Sequence, residues 1–176
     1  MDFRIWLAGL IAMLAVQFFG IGKVKPPEEM SISGEWLFQT GDLASWRGKN
    51  FDDSRWARIQ VPSTWENQGY AEYDGIAWYR YHVEVPSGWK KQGGGIMFEI
   101  GKIDDDDEFY FNGYFLGRSY GWQTWRKYFI PKNLINYGGD NVIAIKVVDT
   151  GGGGGIWEGP LKIFPGSSRR FNVEEY

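Results

Sequence analysis

The chain has 176 residues, 43% hydrophobic and 18% aromatic, with 25 glycines, which is enough apolar surface for one packed domain. A net charge of −3 leaves no basic footprint for nucleic acid, and the absence of cysteine excludes a disulfide framework, a thiolate metal site and a cysteine nucleophile. In chain order, "MDFRIWLAGLIAMLAVQFFGIG" (1–22) has one arginine and then an apolar run broken only by Gln17. This reads as a secretory signal peptide, with Gly20 and Gly22 as the small residues ahead of cleavage before Lys23. The alternative is an uncleaved membrane anchor through residues 5–22. Export to a periplasmic or extracellular space is expected, with membrane contact only if the segment stays attached. Residues 23–34, rich in proline, charge and small side chains, read as a linker.

No long amphipathic helical period follows. Short runs of period two, bounded by Gly, Pro, Asn and Asp, predict strands near 35–39, 57–61, 76–86, 95–101, 126–130, 141–149 and 161–164. "EFYFNGYFLG" (108–117) reads as two strands joined by Asn112-Gly113, a strong hairpin signal. In 76–86, Tyr79, Tyr81, Val83 and Val85 alternate with Trp78, Arg80, His82 and Glu84. The pattern predicts an all-β antiparallel sandwich over 35–166 and a polar tail over 167–176, with "GGGGG" (151–155) as a flexible loop.

Four segments in order carry a family resemblance: "FDDSRWARIQVPSTWENQGYAEYDGIAWYRYHVEVP" (51–86), "FEIGKIDDDDEFYFNGYFLG" (98–117), "WRKYFIPKNL" (125–134) and "GGDNVIAIKVVDTGGGGGIWEGP" (138–160). Together they resemble the N-terminal sugar-binding domain of glycoside hydrolase family 2, the β-galactosidases and β-glucuronidases. They are also similar to the related domain of sialate O-acetylesterases. The resemblance implies a galactose-binding-like jelly roll. In that family catalysis sits on a separate barrel. Thr64 stands where some galactosidases place an Asn that reaches the active site, and the glycine run stands where a late-loop Asp lies near a metal. No substrate contact is therefore carried over.

Catalysis by this chain alone is not expected. A catalytic barrel needs about 250 residues. The single histidine, His82, lies mid-strand with no plausible serine partner, and "GDLASW" (41–46) lacks the serine that the esterase motif places after Gly-Asp. No catalytic residue is assigned.

The run "DDDDE" (104–108) poses a separate question. An EF-hand starting at Asp104 would need Gly and Glu where Phe109 and Phe115 stand, so that motif fails. An irregular structural calcium site stays open, its ligands unassigned, and no other cofactor is expected. If the strand period extends back from Phe109, Asp105 and Asp107 share its face and need cationic partners. Arg80 and Arg126 are the natural ones.

A glycan site would combine aromatic plates with fixed polar groups on loops. The candidates are Tyr70, Tyr73 and Asp74 in one loop, Arg118, Tyr120 and Trp122 in a second, and Trp157 in a third. The family resemblance implies that Trp65 and Trp125 pack internally. The functional expectation is a non-catalytic carbohydrate-binding module whose partners are a glycan and a separately encoded glycosidase. The alternative is a structural or protein-interaction module, or an accessory piece of a truncated hydrolase.

Overall fold

A computed structural model describes residues 25–166; the signal-or-anchor segment and the polar tail lie outside the described residues. Eleven strands form two antiparallel sheets, and the only helical elements among the described residues are short 3-10 turns. The larger sheet orders β3 (Ala57–Val61), β2 (Gly34–Thr40), β4 (Gly75–Glu84), β9 (Asp140–Asp149), β6 (Asp106–Phe111) and β7 (Tyr114–Ser119). In the smaller sheet β5 (Gly95–Asp104) is central and pairs with β8 (Trp125–Pro131), β10 (Gly155–Glu158) and β11 (Lys162–Gly166). The short β1 (Met30–Ser31), within the proline-rich stretch, pairs with β11.

Strand register explains the core. Phe38, Tyr79, Ile145 and Phe109 sit opposite one another across β2, β4, β9 and β6, and all four are fully buried. They meet Phe98, Ile130, Ile156 and Ile163 of the smaller sheet in one apolar cluster. Full burial of each such side chain is worth about 1.5–3 kcal/mol. The Asn112-Gly113 hairpin has positive φ at both positions (51° and 86°), as its turn requires. Asn112 also stitches β6 to β9: its Oδ1 accepts from the Val142 amide and its Nδ2 donates to Asn141 Oδ1, both at 2.9 Å.

The larger sheet is buried on both faces of β4, which the alternation of 76–86 does not predict. The loop after β2 folds across the outer face, so Trp56 packs with Trp78, Tyr110 and Ala144 in a second cluster. Arg80 is the fully buried centre of this layer. Its Nε donates to Asp53 Oδ2 at 2.6 Å, its Nη1 donates to the Trp46 carbonyl and to that of Gly48 at 3.0 Å, and its guanidinium lies 5.6 Å from the Phe51 ring centre. His82 reaches Asp53 at 3.0 Å and Asp140 at 3.3 Å from its other nitrogen, so the lone histidine is part of this brace. Burial pushes the Asp53 carboxyl up, but the Arg80 and His82 contacts outweigh it and hold the group below its ordinary 3.8.

The glycine run is not uniformly loose. Gly154 is buried, and a methyl there would lie 2.1 Å from the Trp65 ring, which is itself fully buried. Gly154→Ala is expected to cost about 1–3 kcal/mol or more. Gly153→Ala, whose methyl would meet nothing closer than 3.7 Å, should cost far less. Urea midpoints of the two variants check this. The Asp53 brace has a pH signature. Its folded pKa is depressed, so its stabilisation is complete above 3.8 and is lost as pH falls through the lower folded value. Asp53→Asn should cost on the order of 3 kcal/mol near neutrality. The gap to wild type should shrink in melts below pH 3.8.

Candidate functional site

The site is built on a second buried arginine. Along β8 the odd positions face outward and Arg126, Tyr128 and Ile130 face in. Arg126 is fully buried, and its Nε donates to Asp107 Oδ1 of β6 at 2.8 Å. Tyr128 donates its hydroxyl to the other oxygen of Asp107 and stacks on Phe109 with ring centres 4.5 Å apart. The rest of the guanidinium holds backbone: Nη2 donates to the Asp105 carbonyl at 2.7 Å, and Nη1 donates to the carbonyls of Gly121, at 2.8 Å, and Thr124. Asp106 accepts from the Gly121 amide at 3.0 Å. The 120–124 loop is thus pinned from beneath by residues of the acidic run.

That loop carries exposed aromatics. Tyr120 is 61%, Trp122 49% and Trp125 51% exposed. Trp122 meets Trp157 of β10 with ring centres 6.1 Å apart. Lys102 of β5 lies between two of the rings, its Nζ 5.6 Å from the centre of Trp125 and 5.2 Å from that of Trp157, and it pairs with Glu158 at 2.9 Å. Lys102 sits opposite both Trp125 and Glu158 in the sheet register, so three adjacent strands contribute to one surface. Beside it opens a cleft of about 740 Å³ lined by Glu99, Gln123, Thr124, Trp125 and Lys127. The Trp157 indole N–H is buried with no acceptor among the described residues.

The candidates picked out in the sequence separate into two groups. Tyr120, Trp122 and Trp157 belong to this surface, with Arg118 at its edge, its Nη1 3.5 Å from the Tyr120 hydroxyl. Tyr70 and Tyr73 pack on the core, Tyr70 edge-on to Phe38 and Tyr73 to Trp65, and the Tyr73 hydroxyl donates to the Ile76 carbonyl at 2.7 Å. Asp74 is exposed beside them. Trp65 is fully buried, but Trp125 is half exposed, contrary to the expectation that both pack. The inward Arg126 is the reason: with a charged residue at a core position, the outward face of β8 falls to Trp125. Lys102 had no motif to mark it. Its role follows from its register.

The acids of the run have distinct partners. Arg80 pairs with Asp53 rather than with the run, because it faces the outer layer of the larger sheet. Glu108 pairs with Arg118 at 3.3 Å. The Asp105 carboxylate accepts from the Thr150 amide at 3.1 Å and from its hydroxyl, and only the Asp105 backbone carbonyl accepts from an arginine side chain. Asp104, Asp105 and Asp149 bring carboxylate oxygens within 4.8 Å of one another and are the described residues that could hold a metal. Burial and the neighbouring charges of Asp105 and Asp149 push Asp104 up to about 7.

Residues 42–153 match the family model of the β-galactosidase second all-β domain. A β-glucuronidase of Formosa agariphila is 26% identical over 131 residues, covering 64% of this chain and 12% of that protein. Among solved structures, a β-glucuronidase of Bacteroides uniformis superposes with a TM-score of 0.67 at 26% identity, over 77% of this chain and 17% of that one. A glycosyl hydrolase family 2 member from Bacteroides cellulosilyticus gives 0.67 at 23% identity, over 79% and 20%. The chain therefore spans only 12–20% of the length of these relatives. With its two-sheet architecture and the family match over most of its described residues, the chain belongs to the family of the β-galactosidase second all-β domain, an all-β domain of the glycoside hydrolase family 2 enzymes.

Proposed function

We propose that this chain is an exported, non-catalytic glycan-binding domain. The binding surface in this reading is the aromatic platform of Tyr120, Trp122, Trp125 and Trp157 with Lys102. The observation that carries the reading is the exposure of Tyr120, Trp122 and Trp125 on one short stretch, with Trp122 against the half-buried Trp157 of β10, beside an open cleft. Contiguous exposed aromatic surface on a small domain usually marks a binding site. Sugar rings offer flat C–H faces to such plates, and Gln123, Glu99, Lys127 and Arg118 stand near enough to address hydroxyls or a carboxylate.

The β-glucuronidase relatives and the β-galactosidase family model make an acidic or galactose-like sugar the first ligand to try, and in this reading the domain works beside a separately encoded glycosidase. A second reading has one specific support. The relatives carry this domain within chains five or more times its length, which fits the same aromatic face docking against another domain. Titration with glucuronide- and galactoside-containing oligosaccharides, followed by tryptophan fluorescence, separates the two. The glycan reading predicts a saturable shift that weakens at least tenfold in a Trp122→Ala, Trp125→Ala double variant with an unchanged melting point. A tenfold loss corresponds to about 1.4 kcal/mol, within what a central aromatic anchor contributes. A flat response from folded protein across the panel would favour the docking face.

A further inference from the structure

We infer that Asp104, Asp105 and Asp149 form a divalent-cation site, with calcium the cation its chemistry selects, which ties the glycine loop to the meeting point of the two sheets. The three carboxylates converge from the end of β5, the turn into β6 and the end of β9, with oxygens within 4.8 Å of one another. The independent observation is at Asp149. This residue is only 2% exposed, and while its Oδ1 accepts from the Gly151 amide at 3.0 Å, its Oδ2 is buried with no hydrogen-bond partner among the described residues. A buried carboxylate oxygen left unmet is costly, and native structures rarely leave one without an ion, water or donor.

No cationic side chain fills the role. Among the described residues no ion pair includes Asp104, Asp105 or Asp149. Arg126 lies close enough for its charge to act on Asp104 and Asp105, but its hydrogen bonds go to the Asp107 carboxylate and, at Asp105, to the backbone carbonyl alone. A further acid lies beside the cluster: Glu66 Oε2 is itself buried without a hydrogen-bond partner among the described residues. Glu66 Oε1 meanwhile accepts from the Gly154 amide at 2.8 Å, so the glycine loop is wrapped between the two acids.

The donor set identifies the class of ion. All candidate ligands are oxygens, the chain has no cysteine, and its one histidine is engaged by Asp53 and Asp140 on the outer layer. Soft and borderline metals are therefore disfavoured. Calcium takes oxygens at about 2.3–2.6 Å in flexible geometry, so ligands on opposite sides of it lie roughly 4.6–5.2 Å apart. Magnesium is smaller, demands a tighter octahedron and keeps most of its waters. The register explains what the ion would join: Asp104 sits opposite Gly155 of β10, and Asp149 sits opposite Gly75 of β4. One ion at this point links the smaller sheet, the larger sheet and the glycine loop.

The test uses the chain stripped with EDTA and then titrated with calcium chloride, followed by calorimetry and by melting. The expected result is one saturable site and a melting point several degrees higher with calcium than with EDTA. Asp149→Asn should weaken calcium binding at least tenfold. If that variant fails to fold, Asp104→Asn serves in its place, with a sign that a purely structural carboxylate would not produce. Without calcium it should melt higher than wild type, because a repulsion is gone, and with calcium lower. No heat and no melting shift up to about 10 mM calcium, beyond the range of weak extracellular sites, would overturn the proposal. So would wild type and Asp104→Asn responding alike to calcium.

Discussion

The Arg126–Asp107 pair is the constraint around which the functional face is arranged. It bridges the two sheets, with Arg126 on β8 of the smaller and Asp107 on β6 of the larger, and both side chains are fully buried. An ion pair so deep returns little net stability, since desolvation offsets most of the attraction. Its value is positional. A guanidinium has five donors in a fixed plane, and here they are divided between one carboxylate and three backbone carbonyls. Two of those carbonyls belong to the loop that presents Trp122. A hydrophobic replacement would fill the same space but would leave the loop with no anchor underneath.

Arg80 repeats the device on the opposite side of the molecule. It too is fully buried, pairs with one carboxylate and donates to two backbone carbonyls of a long loop. The apolar rows across the strands account for cohesion, and the two arginines decide where irregular backbone lies on top of them. This division of labour suits a domain whose sandwich is common to a family while its outer surfaces differ. Changing what an arginine holds changes the face on display without repacking the centre.

Much of the architecture was readable from period two and turn chemistry. Asn112-Gly113 marks its hairpin because both positions need positive φ, and the alternate residues Ile96, Phe98 and Ile100, with Ile143, Ile145 and Val147, mark strands β5 and β9 and meet in one core. The misreadings have separate causes, the first being that alternation assumes one buried face. In 76–86, Trp78 and Arg80 lie on the face opposite Tyr79, and the 41–56 loop buries that face as well, so Arg80 meets Asp53 there and not the acidic run. Trp125 was expected inside on the strength of the family resemblance, whereas the residue beside it, an arginine, took the core position. β10 was hidden because a glycine run suggests slack, yet Gly154 and Gly155 are small in order to let backbone pass Trp65 and Tyr79. The acids of the run were legible as needing partners, but the division of four of them, Asp105 to Glu108, among Thr150, Gly121, Arg126 and Arg118 depends on three-dimensional neighbours outside the run.

The central claim is that the buried pair orders the aromatic loop rather than merely filling the core. Backbone NMR order parameters of an Arg126→Met, Asp107→Leu double variant test it most directly, because an apolar pair preserves volume and removes both charges together. The account predicts that residues 120–124 fall from rigid values of about 0.85 to below about 0.6, while β4, β5 and β9 keep theirs. Order parameters in the loop that stay at wild-type values would contradict it, and would mean that the loop is held by its own turn and not by the arginine beneath.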